Sequence, residues 1–165
     1  MGIAKFAELA DLIGMDPEKT YMGGGFKREN IRIHDIEIEK NTLRALCDVE
    51  NDYSDTKYFH FTQPSSYSCT AHLAICLFAF IRGIKRHDKG FHIFLIKYQT
   101  KWNKVVKTPL NIPIEIRMTK SSLKNRSEEV NFRFSIDNDS MVGSYTAIFR
   151  LPPRILKERQ KAVKK

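Results

Sequence analysis

The side chains of this 165-residue chain that could do chemistry are concentrated in a stretch without formal charge. No Asp, Glu, Lys or Arg occurs from Tyr58 to Ile81, although charged residues make up 28% of the chain. Polar side chains suited to catalysis lie directly before a long apolar segment or within its first residues. The candidate site residues are His60, Gln63, Tyr67, Cys69, Thr70 and His72.

Cys69 and Thr70 are predicted to lie at the N-terminal end of a buried helix. The first N–H groups of a helix have no acceptor inside the helix and carry the positive end of its dipole. Directed at a carbonyl group, the N–H groups near these two residues would polarise it and stabilise the oxyanion that forms on attack. We therefore assign Cys69 and Thr70 to substrate binding.

His72 would then lie in the first turn, where burial and the helix dipole both lower the pKa of an imidazole. A neutral imidazole at physiological pH can act as a general base. Tyr67 or Gln63 could position an attacking water molecule. His60 is a second candidate base if it faces the same side of the helix.

The three cysteines of the chain are Cys47, Cys69 and Cys76. A cysteine beside a helix N-terminus can act as a nucleophile. His72 is the one partner that the local sequence offers Cys69, so a structural role is favoured, and Cys47 and Cys76 are expected in the core. Three cysteines are too few and wrongly spaced for a disulfide framework or a zinc site. We therefore expect no metal and a reducing, cytoplasmic location.

The apolar segment itself predicts a long buried helix from Thr70 to Ile84. Its apolar residues recur at helical spacing and occupy nearly the whole circumference, which is typical of a helix enclosed in a core. Ser66, Ser68 and Thr70 offer hydroxyls for an N-cap, and Gly83 or Gly90 could end the helix.

The remaining pattern predicts mostly antiparallel strands, because apolar and polar residues alternate with a period of two. Residues 4–14 are expected to form an amphipathic helix, followed by a flexible glycine-rich loop at 14–26. A hairpin is expected at residues 31–49, with a change of parity near His34. The further strands are expected at residues 58–62, 91–100, 105–106, 110–119, 129–136 and 141–151.

Length and charge give the expected organisation and partners. A chain of this length forms one domain, here residues 1–153, with residues 1–25 as its N-terminal helix and loop and residues 154–165 as a basic tail. Residues 82–126 contain twelve basic and two acidic side chains. Such a region suits phosphates, and we favour coenzyme A or an acidic carrier protein over nucleic acid, because no RNA-binding motif accompanies it. No membrane span and no export signal are expected.

The region around the helix start resembles two groups of enzymes with the hot-dog fold. The sequence HFTQP at 60–64, followed by Tyr67, is similar to the helix start of hot-dog dehydratases, which carry a His-Phe-Pro there. The sequences SY at 66–67 and TAHL at 70–73 resemble the corresponding stretch of FcoT-type long-chain fatty acyl-CoA thioesterases. The resemblance implies an α+β fold in which an antiparallel sheet wraps around one long buried helix.

The resemblance also implies an activity and partners. The protein would be a homodimer, or a higher oligomer, that hydrolyses a fatty acyl thioester of coenzyme A or acyl carrier protein without a cofactor. Two features depart from the families. The acidic residue of the dehydratase helix is replaced by Ala74, and the asparagine that follows the thioesterase histidine is replaced by Leu73 and Ala74.

These departures leave two alternatives open. The first is a 3-hydroxyacyl-thioester dehydratase that uses His60, with a carboxylate supplied by Asp48, Glu50 or Asp52. The second is a non-catalytic protein that binds or senses an acyl ligand, which the missing carboxylate and asparagine both permit.

Overall fold

The structure of the protein, a computed structural model, describes residues 2–13, 30–50, 61–85 and 88–163. These residues form an antiparallel sheet and three helices, so the expected α+β class is confirmed. The strands are β1 (Ala4–Glu8), β2 (Ile31–Glu39), β3 (Thr42–Val49), β4 (His92–Trp102), β5 (Ile112–Lys124), β6 (Ser127–Ile136) and β7 (Met141–Arg150). The helices are α1 (Leu9–Ile13), α2 (Gln63–Arg82) and α3 (Pro153–Val163).

The strands follow one another across the sheet in the order β1-β2-β3-β5-β6-β7-β4, which places β1 and β4 at the two edges. One face of the sheet is apolar because alternate side chains of each strand point to the same side. The fully buried members on β5 and β6 include Ile112, Ile116, Val130 and Phe132. Helix α2 lies against this inner face and contacts β2, β3, β5 and β6.

The predicted hairpin of β2 and β3 is confirmed, including its change of parity. Ile33 and Ile36 are both buried although they are three residues apart. A β-bulge between His34 and Glu37 shifts the register, and Asp35 adopts a positive φ of 50° there. The extra residue in the bulge returns the following isoleucines to the inner face.

The prediction of one helix over residues 4–14 is wrong. Residues 4–8 form β1, which extends the sheet beyond β2 and pairs Phe6 with Ile36. Among the described residues of this range, the helix covers Leu9–Ile13 alone. The sequence AKFAE fits a period of two as well as a helical period. Pairing with the open edge of β2 stabilises the strand, whereas a short isolated helix is only marginally stable.

The predicted long buried helix is confirmed, but it begins at Gln63 rather than near Thr70. The N-cap is Thr62, whose hydroxyl oxygen accepts a hydrogen bond from the Ser65 N–H at 3.2 Å. Pro64 lies in the first turn, where its missing N–H costs nothing. The predicted caps Ser66 and Thr70 are therefore inside the helix.

Helix α2 ends as predicted at Gly83, which adopts a left-handed conformation with φ of 61°. Its N–H donates to the Phe80 carbonyl at 3.1 Å. By length and composition α2 could cross a membrane, but 67% of its most apolar window is buried inside the protein. That burial is typical of the core helix of a globular domain.

The strands predicted after α2 are confirmed as β4 to β7, with one exception. Residues 105–106 are not a strand: Val106 is buried and Val105 is exposed, in a loop that joins β4 to β5. Phe61 and Thr62 precede α2 without strand pairing. The earlier part of the strand predicted at 58–62 and the glycine-rich loop predicted at 14–26 lie outside the described residues.

Helix α3 occupies most of the predicted basic tail and packs on the domain through its first turns. Ile155 is buried, and Arg154 donates to both carboxylate oxygens of Asp88 and to the Gly83 carbonyl. One turn later, Arg159 lies 3.2 Å from the carboxylate of Glu128. This carboxylate also accepts hydrogen bonds from Arg82 at the end of α2, so one acidic side chain joins two helices to β6.

We expect the substitution Glu128→Gln to destabilise the fold. Glu128 is only 2% exposed, and its loss of charge leaves Arg82 and Arg159 without their counter-ion. Because both guanidinium groups keep some access to water, the expected loss is about 2 kcal/mol rather than the larger cost of a fully buried pair. Urea unfolding followed by circular dichroism measures the loss. The neighbouring substitution Glu129→Gln is the control and should change stability by less than about 0.5 kcal/mol. Equal effects of the two would contradict the structural role of Glu128.

Candidate functional site

The N-terminal end of α2 presents polar groups to the interior without any charged side chain. Ser65 and Ser66 are fully buried in the first turn, whereas Gln63 and Pro64 are exposed. The Ser66 N–H already donates to the Thr62 carbonyl at 3.0 Å. The positive end of the helix dipole therefore meets a mixed surface of hydroxyls and apolar groups.

Strands β4 and β7 and helix α2 bring a group of hydroxyls together here, which we call the hydroxyl cluster: Ser66, Tyr67, Thr70, Tyr98 and Tyr145. Ser66 and Tyr98 share a hydrogen bond of 2.6 Å between their hydroxyls. The rings of Tyr67 and Tyr98 meet edge to face, with centroids 5.3 Å apart. The Tyr145 hydroxyl donates to the Thr70 carbonyl at 3.1 Å.

Tyr98 owes its position to the residues beneath its ring. Its ring stacks on Phe134 of β6, with centroids 5.6 Å apart and planes 15° from parallel. Phe134 in turn fits over Gly143 of β7: a Cβ at that position would come within 2.3 Å of the Phe134 ring and of the Gln99 carbonyl oxygen. A glycine is required there, because the missing side chain makes room for the ring that supports Tyr98.

The surroundings keep the phenols of the hydroxyl cluster protonated. Burial raises the pKa of Tyr98, and its hydrogen bond with Ser66 opposes that shift only in part. Burial raises the pKa of Tyr145 well above its usual range. Both phenols are therefore protonated at physiological pH. The Tyr145 proton is donated to the Thr70 carbonyl, whereas a phenol in the position of Tyr98 can stabilise a negative charge that develops on a nearby oxygen.

His72 lies in the third turn of α2, not in its first turn as predicted. It follows Tyr67 by five positions, and since each position turns a helix by about 100°, the two side chains point about 140° apart. His72 is 4% exposed, and burial lowers the pKa of its imidazole to about 4. Burial is the cause of that shift, so the imidazole is neutral at physiological pH.

The predicted substrate-binding residues have other contacts. The Cys69 thiol lies 3.3 Å from the Cys47 thiol of β3, and the Thr70 hydroxyl donates to the Ser66 carbonyl at 2.8 Å. Both residues are in the interior of α2, where backbone N–H groups donate to the preceding turn. Because the helix starts earlier than predicted, these N–H groups are not at its N-terminal end, and the assignment of Cys69 and Thr70 to substrate binding stays a prediction.

Of the other predicted residues, Gln63 is the exposed first residue of α2, and His60 lies outside the described residues. Two of the three carboxylates named for the dehydratase alternative make contacts elsewhere. Asp48 lies 3.3 Å from the His34 imidazole and accepts from the Asn111 N–H at 2.8 Å. Glu50 accepts from the Asn30 side chain at 2.7 Å, and Asp52 is not among the described residues.

Cysteine chemistry and metal binding find little support in the described parts of the chain. All three cysteines are buried. Burial raises the pKa of Cys76 to about 12, and the contact with Cys69 together with burial raises the pKa of Cys47 well above its usual range. A protonated thiol is a poor nucleophile. No group of three or more potential metal ligands occurs among the residues that the structure describes.

Sequence reasoning missed Tyr98 and Tyr145 as members of the site. They are a directly opposed pair on β4 and β7, and both point to the inner face. The alternation within each strand places them inward, but no local pattern shows that their hydroxyls reach a helix 32 and 75 residues away in sequence. The signal that could have found them is a tyrosine at an inward position of a strand, since a buried phenol needs a polar partner.

Comparison with known proteins identifies the fold. No protein-family model matches the chain, and a search of curated proteins finds no relative. A protein of unknown function from Pseudomonas aeruginosa, a probable thioesterase, has a TM-score of 0.52 and 11% identity, covering 81% of this chain and 89% of its own. A hypothetical thioesterase from Streptococcus pneumoniae, in a structure with coenzyme A, has a TM-score of 0.50 and 7% identity, covering 79% and 95%.

At such low identity the likeness concerns the fold. The two structures are described as a probable and a hypothetical thioesterase. The long buried helix against a wide antiparallel sheet agrees with the hot-dog fold. The predicted hot-dog fold is confirmed.

The buried His72 should make stability depend on pH. An unfolded histidine has a pKa of about 6.5, whereas the folded value is about 4. Between these values the unfolded chain binds more protons, so stability falls as pH falls, by at most about 1.4 kcal/mol per pH unit from this group. Urea unfolding at several pH values measures the slope. His72→Gln, which cannot titrate in this range, is the control and should give a shallower dependence of the unfolding free energy on pH. Equal slopes for the two proteins would show that the pKa of His72 is not lowered by folding.

Proposed function

We propose that this protein hydrolyses a fatty acyl thioester of coenzyme A or of an acyl carrier protein. The observation that carries the proposal is the hydroxyl cluster at the N-terminal end of the buried helix of a hot-dog fold. The similar structures from Pseudomonas aeruginosa and Streptococcus pneumoniae are described as thioesterases, and the second contains coenzyme A. These descriptions support the same reaction class here.

In the proposed reaction, water attacks the thioester carbonyl carbon and the carbonyl oxygen becomes negatively charged. The Tyr98 hydroxyl and the Tyr67 hydroxyl would stabilise that oxygen, helped by the positive end of the α2 dipole. Collapse of the intermediate breaks the carbon–sulfur bond, releasing the fatty acid, and the thiolate takes up a proton. Apolar side chains of the inner sheet face offer surroundings suited to an acyl chain.

The base that accepts the proton of water is assigned to His72 in this proposal. Its imidazole is neutral at physiological pH and is therefore able to accept a proton. It points about 140° away from Tyr67 around α2, which counts against His72 acting on a carbonyl held by Tyr67 and Tyr98. His60, two residues before the N-cap Thr62 in the sequence, is the second candidate.

A second candidate function is binding of an acyl thioester without hydrolysis. Two observations favour it. His72 is 4% exposed, which limits contact with a water molecule, and α2 carries no acidic residue in its first turn. In contrast, the dehydratase alternative loses support, since Asp48 and Glu50 make hydrogen bonds elsewhere.

The activity test uses palmitoyl-CoA and follows the release of free thiol. We expect hydrolysis by the native protein, and a loss of about 100-fold in kcat on Tyr98→Phe, since one oxyanion donor is removed while the ring remains. Tyr145→Phe is the matched control: it deletes a buried hydroxyl bonded to the helix backbone, and should lower stability more than kcat. The variants His72→Gln and His60→Gln show which histidine is the base.

The outcomes separate the three functions. Bound palmitoyl-CoA without thiol release would contradict hydrolysis and favour the binding protein. Loss of water from a 3-hydroxyacyl thioester would favour the dehydratase. Full hydrolysis by the Tyr98→Phe variant would contradict the role given to the hydroxyl cluster.

We also propose that two copies of the chain associate through β4. This strand lies at an edge of the sheet and has one side without a neighbouring strand in the described structure. Its side chains Phe94, Leu95 and Ile96 are 60%, 41% and 56% exposed, which is unusual for adjacent large apolar residues. An open apolar edge readily pairs with another strand. Tyr98 is on the same strand, so pairing would bring two hydroxyl clusters near one interface.

Sedimentation measurements test the association. We expect a dimer for the native protein and a shift towards monomer for Ile96→Lys, because a charge would have to be buried between the paired strands. Leu123→Lys is the control, since Leu123 is 46% exposed on β5, away from that edge. A monomeric native protein, or equal effects of the two substitutions, would contradict pairing through β4.

A further inference from the structure

The outer face of the sheet, opposite α2, collects the basic residues of the middle of the chain. Side chains next to the buried ones in each strand must point outward. Consequently residues that are scattered in sequence become neighbours on one surface. The outward-pointing basic residues of β3 to β6 include Arg44, Lys97, Lys101, Arg117, Lys120 and Arg133.

This face contains a cavity of about 570 Å³, which we call the outer cavity. It crosses β5, β6, β7 and β4 near their central register. The side chains that could bind a ligand there are Gln99, Lys101, Arg117, Arg133, Ser135 and Ser144. Such a set offers three cationic groups together with hydroxyls and an amide, all hydrogen-bond donors.

Two of the cationic groups face each other. Arg117 of β5 is directly opposite Arg133 of β6 in the strand register. Side chains in such positions start about 5 Å apart, and like charges there repel each other. Among the residues that the structure describes, no hydrogen bond or ion pair involves the Arg133 guanidinium group. The pair is therefore an unfavourable arrangement for the protein alone, and an anion placed between them would relieve it.

The acidic residues at the rim of the outer cavity neutralise Arg117 only in part, and the Arg117 Nε also donates to the Thr42 hydroxyl at 3.3 Å. Glu115 accepts a hydrogen bond from Arg44 at 2.9 Å, and its nearer oxygen is 3.9 Å from Arg117, which is too long for a hydrogen bond. The Asp139 carboxylate accepts from the Ser135 hydroxyl at 2.6 Å. Both carboxylates thus have partners on the rim.

The positions of the donors indicate the size of the anion. In one row of the register, Arg117, Arg133, Ser144 and Gln99 follow one another across four strands. With strands about 4.8 Å apart, this row is about 14 Å long. Lys101 lies on the same strand as Gln99, in the next outward position. A single phosphate would occupy only one end of this row, whereas two linked phosphates could contact both the arginine pair and Ser144 or Lys101.

We propose that the outer cavity binds a diphosphate group, with Arg117 and Arg133 as its main ligands. Guanidinium groups suit phosphate because two parallel N–H donors match two of its oxygens. The site is distinct from the hydroxyl cluster. Tyr98 and Gln99 are consecutive in β4 and point to opposite faces, so the sheet itself separates the two sites. The proposal therefore does not depend on the thioesterase activity.

Titration calorimetry with inorganic diphosphate tests the proposal on the native protein. We expect saturable binding with one diphosphate per chain, weakened at least tenfold by Arg133→Gln or by Arg117→Gln. Lys120→Gln is the matched control, because it removes one positive charge from the same face outside the outer cavity, and it should change the affinity less than twofold. Trp102, the one tryptophan of the chain, follows Lys101 and gives a second readout by fluorescence.

Further ligands identify the source of the diphosphate. Binding of ADP with similar or higher affinity, also weakened by Arg133→Gln, would support the proposal and indicate that a nucleotide carries the group. Adenosine binding as strongly as ADP would overturn it, since the base would then be the recognised part. Absence of saturable binding to diphosphate, or equal weakening by Lys120→Gln and Arg133→Gln, would also overturn it.

Discussion

Helix α2 has to be kept from water on nearly all sides, and this constraint governs the rest of the molecule. It carries no charged side chain before Arg82, and twelve of its twenty residues are buried. A single helix face could rest on a flat sheet, but a helix apolar all round needs cover on several sides. The strands meet this need with an inner face of isoleucine, valine and phenylalanine, each of which stabilises the fold by roughly 1.5–3 kcal/mol when fully buried.

The same constraint creates the candidate site. Burial of the first turns of α2 takes hydroxyls into the core, and each would cost roughly 1–3 kcal/mol without a partner. Tyr98 and Tyr145 supply partners from the sheet, at Ser66 and at the Thr70 carbonyl. A requirement of stability thus brings protonated phenols to the positive end of a helix dipole. The glycine at position 143 belongs to the same arrangement, because it admits the ring on which Tyr98 rests.

Sequence patterns predicted those parts of the fold that depend on local periodicity. The spacing of apolar side chains indicates which positions are buried in the long helix, in the bulged hairpin and in strands β4 to β7. The predictions were wrong where contacts with residues distant in sequence determine the secondary structure. Residues 4–8 form a strand because they pair with the edge of β2. Helix α2 is two turns longer than predicted because Thr62 caps it and Tyr98 of β4 bonds to Ser66. The hydroxyl cluster is a product of long-range pairing, so the sequence showed Tyr67 but not Tyr98.

The basic residues and the candidate site lie on opposite faces of the sheet. The composition alone therefore did not show where a phosphate group would bind. The basic middle of the chain suggested a phosphate partner for the helix, yet strand alternation turns its cations away from α2 and onto the outer face. The inner face in turn has hydroxyls and the imidazole of His72, which burial keeps neutral. If a thioester reacts at α2, its carbonyl must be stabilised by neutral donors and the helix dipole, since the described inner face offers no cation for that purpose. A net charge of +9 therefore describes the outside of this protein rather than its candidate site.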